Sequence, residues 1–63
     1  MTYLDFKNEV TTELLELMRL GAVKPRLVAE VNAGLYSDFL RECIENGAGI
    51  SDCVDCLIAC QNI

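Results

Sequence analysis

Several residue types that proteins use for chemistry are scarce or missing in this chain. It has no histidine and no tryptophan, one proline, two tyrosines and two phenylalanines among 63 residues. Histidine is the commonest general acid or base, and no Gly-rich phosphate loop is present either. The sequence therefore predicts a protein that is not an enzyme, with no catalytic or cofactor-binding residues, no metal ligands and no cofactor.

Positive charge is also scarce. Five basic residues stand against ten acidic ones, which gives a formal net charge of −5. The basic residues are scattered, so the sequence offers no basic patch to neutralise phosphates. Nucleic acid and anionic membranes are therefore not expected partners. The basic residues are Lys7, Arg19, Lys24, Arg26 and Arg41.

No apolar run approaches the roughly 18 residues that a membrane-spanning helix needs. The first residues also lack the basic and apolar regions of a secretory signal. We therefore expect a cytoplasmic protein. Its four cysteines are expected to be thiols, because reducing compartments disfavour disulfides.

What the chain does have is hydrophobic residues, 52% of the total, enough to offset the entropy of ordering a chain. They recur at helical spacing, which predicts an all-α domain of three or four short helices in an orthogonal or bundle-like arrangement. One domain is expected over residues 1–63. Its predicted helices cover residues 3–20, 25–33, 37–46 and 51–61.

Residues with helix-capping preferences mark these boundaries. Thr2, Ser37 and Ser51 are expected N-caps, and Pro25 fits a first helical position. Glycines are expected at the helix ends, where a left-handed residue is common. The apolar direction shifts near Gly34, so residues 25–46 are interpreted as two helices, with one kinked helix as the alternative.

The apolar arc of the first helix is wider than one core requires. A main stripe and a shoulder together cover about twice the 100° of a surface helix. A second copy of the chain is the simplest cover, so we expect a homodimer through helix 1, and Leu14→Asp or Leu17→Asp should give monomers or unfolded chain. The stripe is Tyr3, Phe6, Val10, Leu14 and Leu17, and the shoulder is Leu4, Leu15 and Met18.

The last predicted helix also carries apolar residues around much of its circumference, so it is expected to be sandwiched between other elements rather than to lie on the surface. Its apolar positions are Cys53, Val54, Leu57, Ile58 and Cys60.

Four cysteines lie within eighteen residues, at positions 43, 53, 56 and 60, a count that fits a zinc or iron–sulfur site. In one regular helix, however, Cys53 and Cys60 are separated by about 10.5 Å of rise, too far for one metal. A thiol-redox role would need Cys53 activated by the helix dipole. The favoured interpretation is that the cysteines pack in the core as small apolar residues.

Residues 26–44 partly follow a helix-turn-helix pattern, with Gly34 at the turn. The second helix of that motif would carry three carboxylates and one arginine, which disfavours DNA binding. The expected core positions of the pattern are Ala29, Ala33, Leu35, Leu40 and Cys43.

The function expected from these features is that of a small accessory or regulatory protein that binds another, unidentified protein and works as a homodimer. The alternative is a cysteine-dependent metal-binding or thiol-redox protein that uses Cys43, Cys53, Cys56 and Cys60, and the lesser one is the DNA-binding regulator. Glu9, Glu13 and Glu16 are interpreted as a solvated helix face.

Overall fold

A long first helix organises the molecule. In the computed structural model, which describes residues 2–61 and their side chains through residue 60, it contacts each of three shorter helices. The all-α fold with four helices confirms the predicted class, and residues 1, 62 and 63 of the predicted domain lie outside the described part. The helices are α1 Tyr3–Arg19, α2 Pro25–Asn32, α3 Ser37–Glu45 and α4 Ile50–Gln61.

The first three helices end in the same way. A glycine follows the C-cap residue with positive φ, at Gly21 (79°), Gly34 (90°) and Gly47 (73°). After α1, the Ala22 N–H donates to the Leu17 carbonyl at 2.9 Å, and the Gly21 N–H donates to the Met18 carbonyl at 3.0 Å. This is the Schellman arrangement. The same arrangement at Gly34 separates α2 from α3. Residues 25–46 therefore form two helices and not one kinked helix.

The helix starts follow the sequence less closely. Pro25 opens α2, as expected. The predicted caps Ser37 and Ser51 are wrong, because α3 has Tyr36 as its N-cap and α4 already begins at Ile50. The Schellman turn leads directly into α3, where the Leu40 N–H donates to the Tyr36 carbonyl at 2.9 Å. Each serine is therefore already inside its helix.

One cap behaves as expected, and its removal is measurable. The Asp5 N–H donates to Thr2 Oγ1 at 3.2 Å, so Thr2→Ala should cost about 0.5–2 kcal/mol of stability. Thr12→Ala is the control: its hydroxyl only donates back to the Asn8 carbonyl, and alanine has the better helix propensity. Thermal unfolding should show a lower Tm for Thr2→Ala alone. Equal Tm changes in both variants would contradict the capping role.

The core lies along one side of α1. Phe6, Val10 and Leu14 are buried there, while Tyr3 and Leu17 are partly buried against them. The stripe predicted from helical spacing is therefore confirmed. Burial of apolar area from all four helices and the α1–α2 turn stabilises the fold. The other buried residues are Val23, Leu27, Val28, Val31, Leu40, Cys53, Val54 and Leu57.

Helix α4 is not sandwiched. Cys53, Val54 and Leu57 face the core, but Cys56 and Cys60 are exposed. The prediction was wrong because the apolar residues of α4 wrap around a helix that has neighbours on one side only. Within residues 2–61, none of the helices combines the length and the apolar character required to cross a bilayer.

Candidate functional site

Two leucines on α1 remain in solvent although the helix has a well-filled core side. Leu4 is 61% exposed and Leu15 is 41% exposed. They are eleven residues apart, which is about three helical turns, so they point in nearly the same direction. Thr11 lies between them on the same side. We call Leu4, Thr11 and Leu15 the leucine face.

The hydroxyl of Thr11 does not make this face polar. It donates to the Lys7 carbonyl at 2.8 Å, within its own helix. A threonine bonded back in this way has its hydroxyl donor satisfied within the helix. The leucine face therefore has two exposed leucines and no free hydroxyl donor at Thr11, and exposed apolar faces are common sites of protein association.

The burial of Leu14 changes the expected effect of Leu14→Asp. Leu14 is fully buried within the single chain, and Leu17 is partly buried against the same core. Leu14→Asp therefore tests folding rather than a dimer interface. Leu4 and Leu15, which the sequence placed on the shoulder of the apolar stripe, are the informative positions.

The helix-turn-helix interpretation of residues 26–44 fails at several core positions. Ala29 and Ala33 are exposed, Leu35 is 69% exposed, and only Leu40 is buried, with Cys43 partly so. The pattern was wrong because α2 faces the core with Leu27, Val28 and Val31 instead. Gly34 does lie in the turn.

The charged side chains of α3 do not form a basic surface. Asp38, Glu42 and Glu45 are exposed. The guanidinium of Arg41, the single basic residue of this helix, lies 4.9 Å from the centre of the Tyr3 ring on α1. A cation–π contact of this kind is worth about 0.5–1 kcal/mol at an exposed site. It ties α3 to the start of α1.

An open groove of about 430 Å³ separates α1 from the start of α4. Glu9 and Glu13 on its wall are exposed to solvent, in line with the interpretation of the α1 carboxylates as a solvated face. The groove is lined by Asn8, Glu9, Thr12, Glu13, Ile50 and Ser51.

The four cysteines separate into two environments. Cys53 is buried and Cys43 partly buried, whereas Cys56 and Cys60 are exposed, all as free thiols. Core packing therefore accounts for Cys53 and in part for Cys43, and it is wrong for the other two. No cluster of three or more metal-ligating side chains occurs among the described residues.

The Cys53 thiol is not activated. Burial raises its pKa from 9.0 to about 12, and a hydrogen bond with Cys43 and the nearby Cys43 and Cys56 thiols act in the same direction. Cys53 lies on the core-facing side of α4. Desolvation of its thiolate there outweighs the stabilisation that the helix dipole would give. A thiol-redox role would need Cys53 to be activated by the helix dipole, and that expectation is therefore wrong.

The raised pKa of Cys53 has a consequence for stability. Between pH 9 and about 12 the unfolded chain loses this proton before the folded chain does, so stability falls across that window and is unaffected below it. Cys53→Ala should flatten the alkaline decline in chemical unfolding, whereas Cys56→Ala should preserve it. An unchanged decline in Cys53→Ala would contradict the assignment.

Comparison of the chain with known protein families, with curated proteins and with solved structures finds no match. The leucine face and the cysteines are the features of the described residues that bear on function.

Proposed function

We propose that this chain is a small, non-enzymatic accessory or regulatory protein of the cytoplasm that acts by protein–protein interaction, as a homodimer joined through α1. The exposure of Leu4 and Leu15 three turns apart on one side of α1 carries the proposal. In this proposal the dimer binds a further protein partner.

A second copy is the simplest occupant of the leucine face because a two-fold interface uses the same patch on both chains. Two α1 helices packed side by side would pair their leucines at two points about 16.5 Å apart along the helix and remove them from water. Complete burial of one leucine side chain contributes about 1.5–3 kcal/mol. These leucines are already partly buried, and association has its own entropic cost, so the dimer should be of moderate affinity.

The negative charge of each chain opposes this association. Asp5, Glu9 and Glu16 are exposed on α1, and each chain carries a net charge of −5. Two copies therefore repel each other at low ionic strength. Since salt screens exposed charges over about 10 Å at 0.1 M, added salt should strengthen the dimer.

Sedimentation equilibrium of the full chain over a micromolar concentration range tests the proposal. The expected result is a monomer–dimer equilibrium that shifts toward the dimer as sodium chloride is raised, in the presence of chelator and reductant. A single species at the 7.0 kDa chain mass at every concentration and salt level would overturn the dimer.

The cysteines support a second candidate, a metal-binding protein, because two of the four thiols are exposed on one helix. Native mass spectrometry of protein purified without chelator or reductant separates the two. A metal-free dimer with four thiols favours the first proposal, and stoichiometric metal on a chain that is monomeric in chelator favours the second. The lesser alternative, DNA binding, gains no support from an α3 surface that carries three exposed carboxylates.

A further inference from the structure

Cys56 and Cys60 are unusual among the side chains of this molecule. Both are exposed thiols on α4, whereas free cysteine is among the most frequently buried residue types. They are four residues apart, so they lie on the same side of the helix, one turn from each other. Neither contributes to the buried core. Their exposure as a pair requires an explanation other than packing.

The spacing suits a shared metal ion. Side chains at i and i+4 have Cβ atoms about 5–6 Å apart. Sulfurs bound to one zinc ion at about 2.3 Å lie roughly 4 Å from each other, a separation that two cysteine side chains can reach from such Cβ positions. Two histidines at i and i+4 of one helix are a known zinc-binding pair, and the same spacing places these two cysteines on one side of α4. A regular helix also holds the pair in place before metal arrives.

A single chain provides only half of such a site. Cys53 faces the core in contact with Cys43, so it is not available to a metal beside Cys56 and Cys60. The described residues contain no group of three metal-ligating side chains. A structural zinc site has four ligands. The missing two must come from another molecule, and a second copy carries the same pair.

We propose that Cys56 and Cys60 bind Zn²⁺ together with Cys56 and Cys60 of a second copy of this chain, around a two-fold axis. The inference deepens the proposed self-association and takes from it only that two copies meet. Four thiols lose four protons to solvent, four zinc–sulfur bonds form as the water ligands of the hydrated ion leave, and no electron is transferred. Asp52 and Asp55, exposed beside Cys56, add local negative charge that favours a cation.

Zinc titration with native mass spectrometry, at fixed reductant, tests the site. The expected product has two chains and one zinc, and excess chelator removes the metal. Cobalt(II) in place of zinc should give the thiolate charge-transfer and tetrahedral d–d absorption bands of a four-sulfur site. Cys56→Ser with Cys60→Ser should abolish both signals and keep the helical circular dichroism, because both positions are exposed. Cys43→Ser is the matched control and should retain them.

The outcomes separate the two proposals. No bound zinc, one zinc per monomer, or zinc retained by the double serine variant would each overturn the shared site. A dimer that persists in chelator while no zinc binds overturns the zinc site and leaves the leucine-face dimer intact. A chain that is monomeric in chelator and dimeric with one zinc supports the zinc site and contradicts the leucine-face dimer.

Discussion

Leu14→Asp is expected to unfold the chain. Leu14 is completely buried on α1, and α1 contacts all three other helices. An unpaired carboxylate in such a place costs several kcal/mol, while a core of this size rarely supplies more than about 3–5 kcal/mol in total. Far-ultraviolet circular dichroism should show a large loss of helix at 25 °C.

The neighbouring leucine provides the control. Leu15→Asp introduces the same side chain one position later, where the native residue is 41% exposed. Since the carboxylate remains in water, its cost should be small and the helical signal should be retained. If Leu14→Asp unfolded at the same denaturant midpoint as the unsubstituted chain, the position of the core along α1 would be wrong.

The second large effect concerns assembly and not folding. Leu4→Asp combined with Leu15→Asp should abolish the dimer, because two pairs of carboxylates would oppose each other across the two-fold interface and like charges would be desolvated there. Sedimentation equilibrium should then show monomer only, at concentrations where the unsubstituted chain is mostly dimer. The circular dichroism spectrum should remain that of the folded chain.

A control for added charge is available on α2. Ala29 and Asn32 are exposed on that helix and are not part of the leucine face. Ala29→Asp combined with Asn32→Asp gives the same net charge as the leucine variant, so general repulsion between more acidic chains is matched. This control should still dimerise. Equal loss of dimer in both variants would assign the effect to net charge rather than to the leucine face.

The features that depend on local chemistry could be predicted from the sequence. The burial of Phe6, Val10 and Leu14 follows from helical periodicity alone. The breaks at Gly21 and Gly34 follow from the freedom of glycine at positive φ. Both signals act within a few residues, so they do not require knowledge of how the helices pack together.

The features that depend on packing could not be predicted. Periodicity shows that α4 has apolar residues on several sides, but only the tertiary arrangement decides that Cys53 is buried while Cys60 is exposed. The same holds for Leu35, which was expected in the core and projects into solvent from the turn after α2. The predicted serine N-caps were wrong for a related reason, because the turns before α3 and α4 fix where these helices begin.

The leucine face was partly visible in the sequence. The excess apolar arc on α1 predicted that some leucines would lack cover within one chain, and Leu4 and Leu15 are exposed. The sequence placed Leu14 in the main stripe and the other two on its shoulder, but the dimer seam was expected at Leu14 and Leu17, which face the core. Sequence reasoning also missed the bond from Thr11 to the Lys7 carbonyl, which depends on a side-chain rotamer.

The most direct test of the leucine face is an isotope-filtered nuclear Overhauser experiment on equal amounts of ¹³C-labelled and unlabelled chain, mixed and refolded together. Cross-peaks between the methyl groups of Leu4 and Leu15 in one chain and protons of α1 in the other are the expected result. Intermolecular cross-peaks that involve only other helices, or none in a sample that sediments as a dimer, would contradict an interface built on α1.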